Sequence, residues 1–310
     1  MEYEKIDISA IEEIEVAEKT HEQIFKECFL DLDKPIKPLD VLVYIGLDDR
    51  GFKSPSITRG EISCIYAPSK VKKSFLKSLI EAAFIGGNAN HYSDIIVGNR
   101  RTEGYLISVD TEQGEWYAAN SFKRPERIVG ERYSKYIPLQ MRKQKVKDRL
   151  RLIEWLIYKS KYAGKIDMIT IDGLADLVEN TNDIVLATEL AEKLLRWSAE
   201  KMHICFILHK NPNSQKARGH LGTVTTIKTE SMISVDALTD ENGEGEKNTV
   251  KVKCGYSRGA SFEPFYLTVN DDSLPFTHSE ETNNVFVPFD YKEKPLENIE
   301  PKDAFNDVPF

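Results

Sequence analysis

The sequence predicts an α/β fold, a mostly parallel central sheet flanked by helices with an antiparallel hairpin at its edge. Three observations predict it. The runs IDMITID at 166–172 and HICFILH at 203–209 are short and almost wholly apolar, as strands covered on both faces are. Amphipathic helical stretches such as VKDRLRLIEWLIYKSK and DIVLATELAEKLLRWSAEK alternate with them. Late in the chain TESMISVDALTD and NTVKVKCGYS flank the turn-forming ENGEGEK, the pattern of a hairpin.

The elements follow in order. Residues 1–30 carry spaced apolar positions and read as helical, and Pro35 and Pro38 end them. DVLVYIG (Asp40 to Gly46) is strand-like, and GFKSPSITRG is a turn-rich link. ISCIYA is a strand and SFLKSLIEAAFIG a helix; EGYLISVD (103–110) is the next strand, and GEWYAANSFKRPERIVG begins as a helix. FEPFYLTVN is a further strand after the hairpin. The expected organisation is an N-terminal helical extension (1–37), a core (38–270) and an acidic, poorly periodic C-terminal tail (271–310).

The 310 residues are 41% hydrophobic, enough for one large domain with additions. No segment is apolar for long enough to span a membrane, and the acidic N-terminus has no secretory pattern. Cys28, Cys64, Cys205 and Cys254 lack ligand spacing; Cys64 and Cys205 lie in apolar runs and read as buried thiols, which suits a cytoplasmic setting. The formal net charge of −8 argues against a surface coated for duplex DNA. Yet the stretch Arg132 to Lys165 is strongly basic. It reads as a solvated helix face or as a contact for a polyanion or an acidic subunit.

GEISCIYAPSKVKKSFLKSLIEAAFIGG, from Gly60, is a strand, a polar loop and a helix. In the loop Ala67, Pro68, Ser69, Lys70, Val71, Lys72, Lys73 and Ser74, the last two stand where a phosphate-binding loop has its Lys and Ser. Such a loop curls backbone N–H groups around a phosphate at a helix N-terminus. Ala67 and Lys72 replace its two glycines; an alanine is tolerable at 67 if the backbone there has negative φ. Three later strands also end in polar candidates. Asp172 closes IDMITID and could hold a metal-bound water. Glu112 follows LISVD, with Asp110 and Asp176 as alternatives, and could polarise an attacking water. His209 closes HICFILH and could hydrogen-bond a phosphate. Ligands collect at that sheet edge in open α/β folds.

TRGEISCIYAPSKVKKSF, VDTEQG, ITIDGLADLV, FILHKN, ARGHLGT and YSRGASFEPF together resemble the RecA-like P-loop ATPases of the hexameric replicative-helicase branch. Within that branch the chain is most similar to the RepA-like ATPases, including those of Bacteroidetes mobile elements. The likeness covers roughly residues 38–270. It implies ATP and Mg²⁺, with Lys73 on phosphate, Ser74 and Asp172 on the metal, Glu112 as catalytic base and His209 as sensor. It also implies a homo-oligomer, hexameric in the family, in which Lys253 and Arg258 reach the next subunit's γ-phosphate. The departures at Ala67 and Lys72 bear on hydrolysis more than on binding. The expected activity is ATP hydrolysis in replication, mobilisation or transposition of a mobile element. The alternative is a hydrolytically weak accessory protein that docks DNA or a partner. For DNA, single-stranded favoured over duplex, the candidates are Arg218 in ARGHLGT and Arg142, Lys143, Lys145, Lys147 and Arg149 of the basic stretch. No base-reading helix or zinc-finger spacing is evident.

Overall fold

The computed structural model describes residues 19–86, 92–98, 104–210, 219–239 and 245–279. The chain divides into two units, residues 1–38 and 39–310. In the first, helix α1 (His21–Cys28) opens on a capping box: the Thr20 hydroxyl accepts from the Gln23 backbone, and the Gln23 side chain accepts from the Thr20 backbone. Of the expected helical stretch 1–30, residues 1–18 lie outside the described residues, and the helix ends at Cys28.

The second unit holds, in chain order, β1 (Val41–Leu47), β2 (Lys53–Thr58), β3 (Ile62–Ala67), α2 (Lys73–Gly86), β4 (Ile96–Gly98), β5 (Tyr105–Asp110), α3 (Glu115–Val129), β6 (Tyr136–Gln140), α4 (Val146–Tyr158), β7 (Ile166–Asp172), α5 (Ile184–Ser198), β8 (His203–His209), α6 (Gly219–Thr226), β9 (Ser231–Thr239), β10 (Gly245–Ser257), β11 (Phe265–Val269) and β12 (Pro275–Ser279). A 3-10 turn, Leu174–Leu177, follows β7. The main sheet has the order β12-β11-β10-β9-β3-β8-β7-β5-β6, and a small antiparallel sheet has the order β2-β1-β4. From β9 to β6 every pairing is parallel; β10, β11 and β12 add an antiparallel edge. The coarse class read from the sequence is therefore the class observed.

Side-chain alternation divides the core into two faces. Ile65, Ala67, Cys205 and Ile207 point to the α2 side, where Leu76, Leu79, Ile80 and Phe84 pack with Ile128 of α3. Cys64, Tyr66, Phe206 and Leu208 point to the other side, onto Ile153 and Ile157 of α4, Leu190 and Leu194 of α5 and Leu221 of α6. Cys64 and Cys205 are buried free thiols, as the apolar runs implied.

Three expectations need correction. The link 51–60 contains β2, the basic stretch contains β6, and the sheet continues past residue 270 into β12. Each of these strands is the edge of its sheet and each carries a proline, namely Pro55, Pro138 and Pro275. An edge strand tolerates the missing N–H that a central strand would not.

At the edge where β3, β8 and β9 begin, His203 is fully buried. Its Nδ1 lies 2.7 Å from the Thr58 carbonyl oxygen and its Nε2 2.8 Å from the Ser63 hydroxyl. Burial pulls this imidazole down to about 4. Glu230 lies 3.5 Å from it and accepts from the Thr58 N–H and hydroxyl, and burial raises its carboxyl to about 7. The two act oppositely on stability. His203 binds its proton in the unfolded chain first, so stability falls as pH drops from 6.5 toward about 4. Glu230 keeps its proton in the folded chain, so stability falls as pH rises from 4.5 to about 7. Glu230→Gln removes only the second effect. Urea midpoints of this variant should therefore drop more steeply than wild type between neutral pH and pH about 5; superimposable profiles would refute the assignment.

Candidate nucleotide site

Parallel register sets the site. Ala67 pairs with His209, Ile207 with Asp172 and Asp172 with Asp110. The ends of β3, β8, β7 and β5 thus stand side by side, and the polar residues at or after them meet in one cleft of about 810 Å³.

Lys73 opens α2 and is mostly buried. Its ammonium lies 2.7 Å from His209 Nδ1 and 3.4 Å from the Pro68 carbonyl oxygen. Burial pulls its pKa down, against the charges of Asp172 and Glu112. Ser69 Oγ is 3.3 Å from the same His209 nitrogen, and His209 Nε2 is 3.5 Å from Glu112. That imidazole holds the Glu112 carboxyl below the usual carboxylate range. His209 thus bridges the loop lysine and the carboxylate. One residue on, the Ser74 hydroxyl donates to Asp172 Oδ2 at 2.5 Å. Asp172 is buried, and burial raises its pKa while Lys77 and Ser74 pull the other way. Lys73, Ser74, Glu112, Asp172 and His209, singled out separately in the sequence, are brought together.

The loop itself departs from glycine chemistry in a specific way. Ala67 is the last residue of β3 and has no positive φ, so a Cβ costs nothing there. Lys70 (φ 64°) and Lys72 (φ 30°) do have positive φ. Lys72 occupies the second glycine position in a glycine-like conformation, which strains its Cβ. Its ammonium lies 5.4 Å from the centre of the Phe75 ring.

The alternatives to Glu112 have structural duties. Asp110 Oδ1 accepts from the backbone of Glu112 and Gln113, and Oδ2 from the Gln113 side chain, so it shapes the turn that carries Glu112. Asp176 accepts from the Thr111 hydroxyl at 2.8 Å, and that hydroxyl also reaches the Asp172 and Gly173 carbonyl oxygens. Gly173 permits this closeness: at φ 101°, an added Cβ would lie 2.1 Å from Thr111 Oγ1.

Sequence reasoning missed Arg124. It lies on the α3 face toward α2, donates to Ser78 Oγ (3.0 Å), and reaches the Ser74 (3.4 Å) and Ser273 (3.2 Å) carbonyl oxygens. Its guanidinium carbon is 3.9 Å from the Phe75 ring centre, and burial lowers its pKa to about 10. The only sequence signal was a cation amid the buried positions of α3. Trp116 and Tyr117, exposed at the start of α3 with ring centres 4.9 Å apart, line the cleft beyond Glu112.

Other sequence candidates lie elsewhere. Lys253 stands opposite Ser234, which pairs with Tyr66, and its ammonium is 3.1 Å from Asp236; Lys210 meets the same carboxylate at 2.5 Å. Arg258 is at the opposite sheet edge, 3.1 Å from both Glu61 and the Lys228 carbonyl oxygen. Arg142, Lys143, Lys145 and Lys147 are exposed, whereas Arg149 turns inward to the Met141, Arg142 and Asp176 carbonyl oxygens. Arg218 lies outside the described residues.

A magnesium site needs hard oxygen donors, and the Ser74 hydroxyl and Asp172 carboxylate are such a pair, already in contact. Among the described residues no cluster of three or more His, Cys, Asp or Glu could hold a metal by itself. No helix of the described residues is long and apolar enough to cross a membrane. Compared with protein-family models and with curated proteins, the chain matches none.

The strain at position 72 has a direct test. Lys72→Gly should be more stable than Lys72→Ala by about 1 kcal/mol, because both lose the side chain and only glycine relieves the positive φ. Equal urea midpoints for the two variants would show the loop relaxed at residue 72.

Proposed function

We propose that the chain is a RecA-like, Mg²⁺-dependent ATPase that binds ATP along the 67–74 loop. The observation that carries this proposal is the succession of four parallel strand ends delivering Lys73, His209, Asp172 and Glu112 to one cleft, with Ser74 against Asp172.

The chemistry follows from the contacts. The N-terminus of α2 and the backbone N–H groups of Lys70 to Ser74 favour an anion. An arriving triphosphate offers Lys73 charged oxygens in place of His209 Nδ1, a stronger charge-assisted bond. His209, released from Lys73, can then hydrogen-bond the γ-phosphate, and Glu112 loses a neighbour that stabilises its ionised form. Glu112 accepts the proton of a water whose oxygen attacks the γ-phosphorus, while the bond to the β–γ bridging oxygen breaks. A Mg²⁺ held through Ser74 and Asp172 would neutralise charge on the β- and γ-oxygens. Trp116 and Tyr117 offer the base a stacking face.

In this proposal the work concerns DNA of a mobile element, and the chain assembles so that Arg258 of one copy completes the site of another. A second reading, a slow or inactive nucleotide-binding accessory protein, is favoured by one observation: the loop accepts positive φ at two lysines where a glycine would not be strained.

Titration with a fluorescent ATP analogue and phosphate-release kinetics separate these. Lys73→Ala should lose most triphosphate affinity; an unchanged titration would sink the site. Glu112→Gln should bind as wild type while kcat falls about 100-fold. Tight binding with no measurable wild-type turnover at any protein concentration would select the accessory reading.

A further inference from the structure

We propose that the basic turn before α4 and the exposed face of α4 form a docking surface for single-stranded nucleic acid, and that occupancy of this surface acts on the Glu112 turn. Residues 142–151 hold six Lys and Arg against the single acid Asp148. Arg149 is consumed by backbone carbonyls, but Arg142, Lys143, Lys145, Lys147 and Arg151 are exposed and make no ion pair among the described residues. On α4, at 100° per residue, Lys147, Arg151, Trp155 and Tyr158 fall on one side, opposite the buried Ile153, Leu156 and Ile157. Trp155 is 48% and Tyr158 45% exposed; Arg151 stands one turn before Trp155, while Glu200, Arg196 and Glu154 are the charges around Tyr158. Glu154, on the same side, is neutralised by Lys193. A row of cations followed by exposed aromatics fits a strand whose bases are free to stack, with phosphates on the lysines. Duplex DNA would leave the rings unused, and an acidic polypeptide would gain nothing specific from them.

The surface is also wired to the site. β6 ends at Gln140, paired with Asp110, so the basic turn lies at the same sheet edge as Glu112. Gln140 Nε2 donates to the Gln113 carbonyl oxygen at 2.8 Å. The Arg142 guanidinium packs so close over Gly114 that an added Cβ would lie 3.2 Å from Nη1. Arg149 ties the turn to the Asp176 carbonyl, and the Asp176 carboxylate holds Thr111. A phosphate drawing on Arg142 thus pulls on the residues flanking Glu112. This coupling rests on the nucleotide reading above; the docking does not.

The full chain is titrated into a fluorescein-labelled 20-nucleotide oligothymidylate and into a duplex of equal length, without nucleotide, at 50 and 200 mM salt. The single strand should bind more tightly, with log K falling by about 0.7 per phosphate contact per decade of salt. Lys143→Glu/Lys147→Glu/Arg151→Glu should bind at least tenfold more weakly. Trp155→Ala/Tyr158→Ala should lose about tenfold on the oligonucleotide and nothing on inorganic polyphosphate. Circular dichroism melts check that both variants fold. Wild-type-like binding by either variant, or polyglutamate competing as well as oligothymidylate, would overturn the docking surface, the latter in favour of an acidic protein partner. For the coupling, oligothymidylate should stimulate phosphate release in wild type, and Gln140→Ala should retain binding but lose the stimulation ratio. Stimulation retained in Gln140→Ala, or absent in wild type, would overturn the coupling. No phosphate release under any condition would be a failure of the ATPase reading, and the anisotropy result would stand apart from it.

Discussion

Everything at the site depends on the parallel register of β3, β8, β7 and β5. A one-residue slip in any pair would turn every side chain of that strand to the other face. It would also move the strand's end by about 3.3 Å, comparable to the distances that join Lys73, His209 and Glu112. The register is held because these strands are apolar on both faces. Ile65 and Ile207 face one core and Cys64 and Phe206 the other, so a slip would exchange two packed sets at once.

Beneath the cleft lies a charge that this packing must accommodate. Lys77 is buried one turn after Lys73, 3.2 Å from Glu81 and 2.7 Å from Ser108 Oγ, and Glu81 also accepts from the Thr170 hydroxyl. One Glu81 oxygen has no partner among the described residues. A buried pair of this kind contributes little net stability compared with apolar residues of the same size. Its position is informative instead. The Lys77 ammonium is the largest influence opposing the effect of burial on Asp172, so Lys77 favours the ionised carboxylate although Glu81 balances its charge. Arg124 does the same from α3, behind Phe75. Lys70, Lys72, Lys73, Arg124 and Arg127 outnumber Glu112, Asp172 and Asp272 around the cleft, which suits a polyanionic ligand.

How much of this was legible follows burial. IDMITID and HICFILH gave β7 and β8 to the residue, because a strand covered on both faces cannot hide among polar neighbours. The edge strands KSPSIT, YIPLQ and PFTHS were not legible. Each is short and carries a proline, and KSPSIT and PFTHS are at least half polar, features that also mark turns. The five central site residues could be read because each ends or follows a strand that could be read. Arg124 could not, since its role depends on α3 packing against α2, a contact that no local spacing encodes. The pairing of Lys253 with Arg258 was legible as composition but not as geometry: Lys253 lies within β10, opposite Ser234, and Arg258 just past its end.

That separation constrains how Arg258 can serve any phosphate. Its backbone N–H bonds the Glu230 carbonyl, and the Glu230 N–H bonds the carbonyl of Ile62, the first residue of β3. The loop that carries Lys73 begins at the other end of that strand. Five residue steps at about 3.3 Å put roughly 16 Å of sheet between them, more than twice the reach of an arginine side chain. The guanidinium already points away, to Glu61 and the Lys228 carbonyl. Within one chain Arg258 therefore cannot meet a ligand on Lys73. Lys253 is in the reverse position. Through Asp236 it is linked to Lys210, the residue after His209. The two cations thus stand at opposite ends of the sheet, Lys253 level with Ser234 and Arg258 level with Glu230.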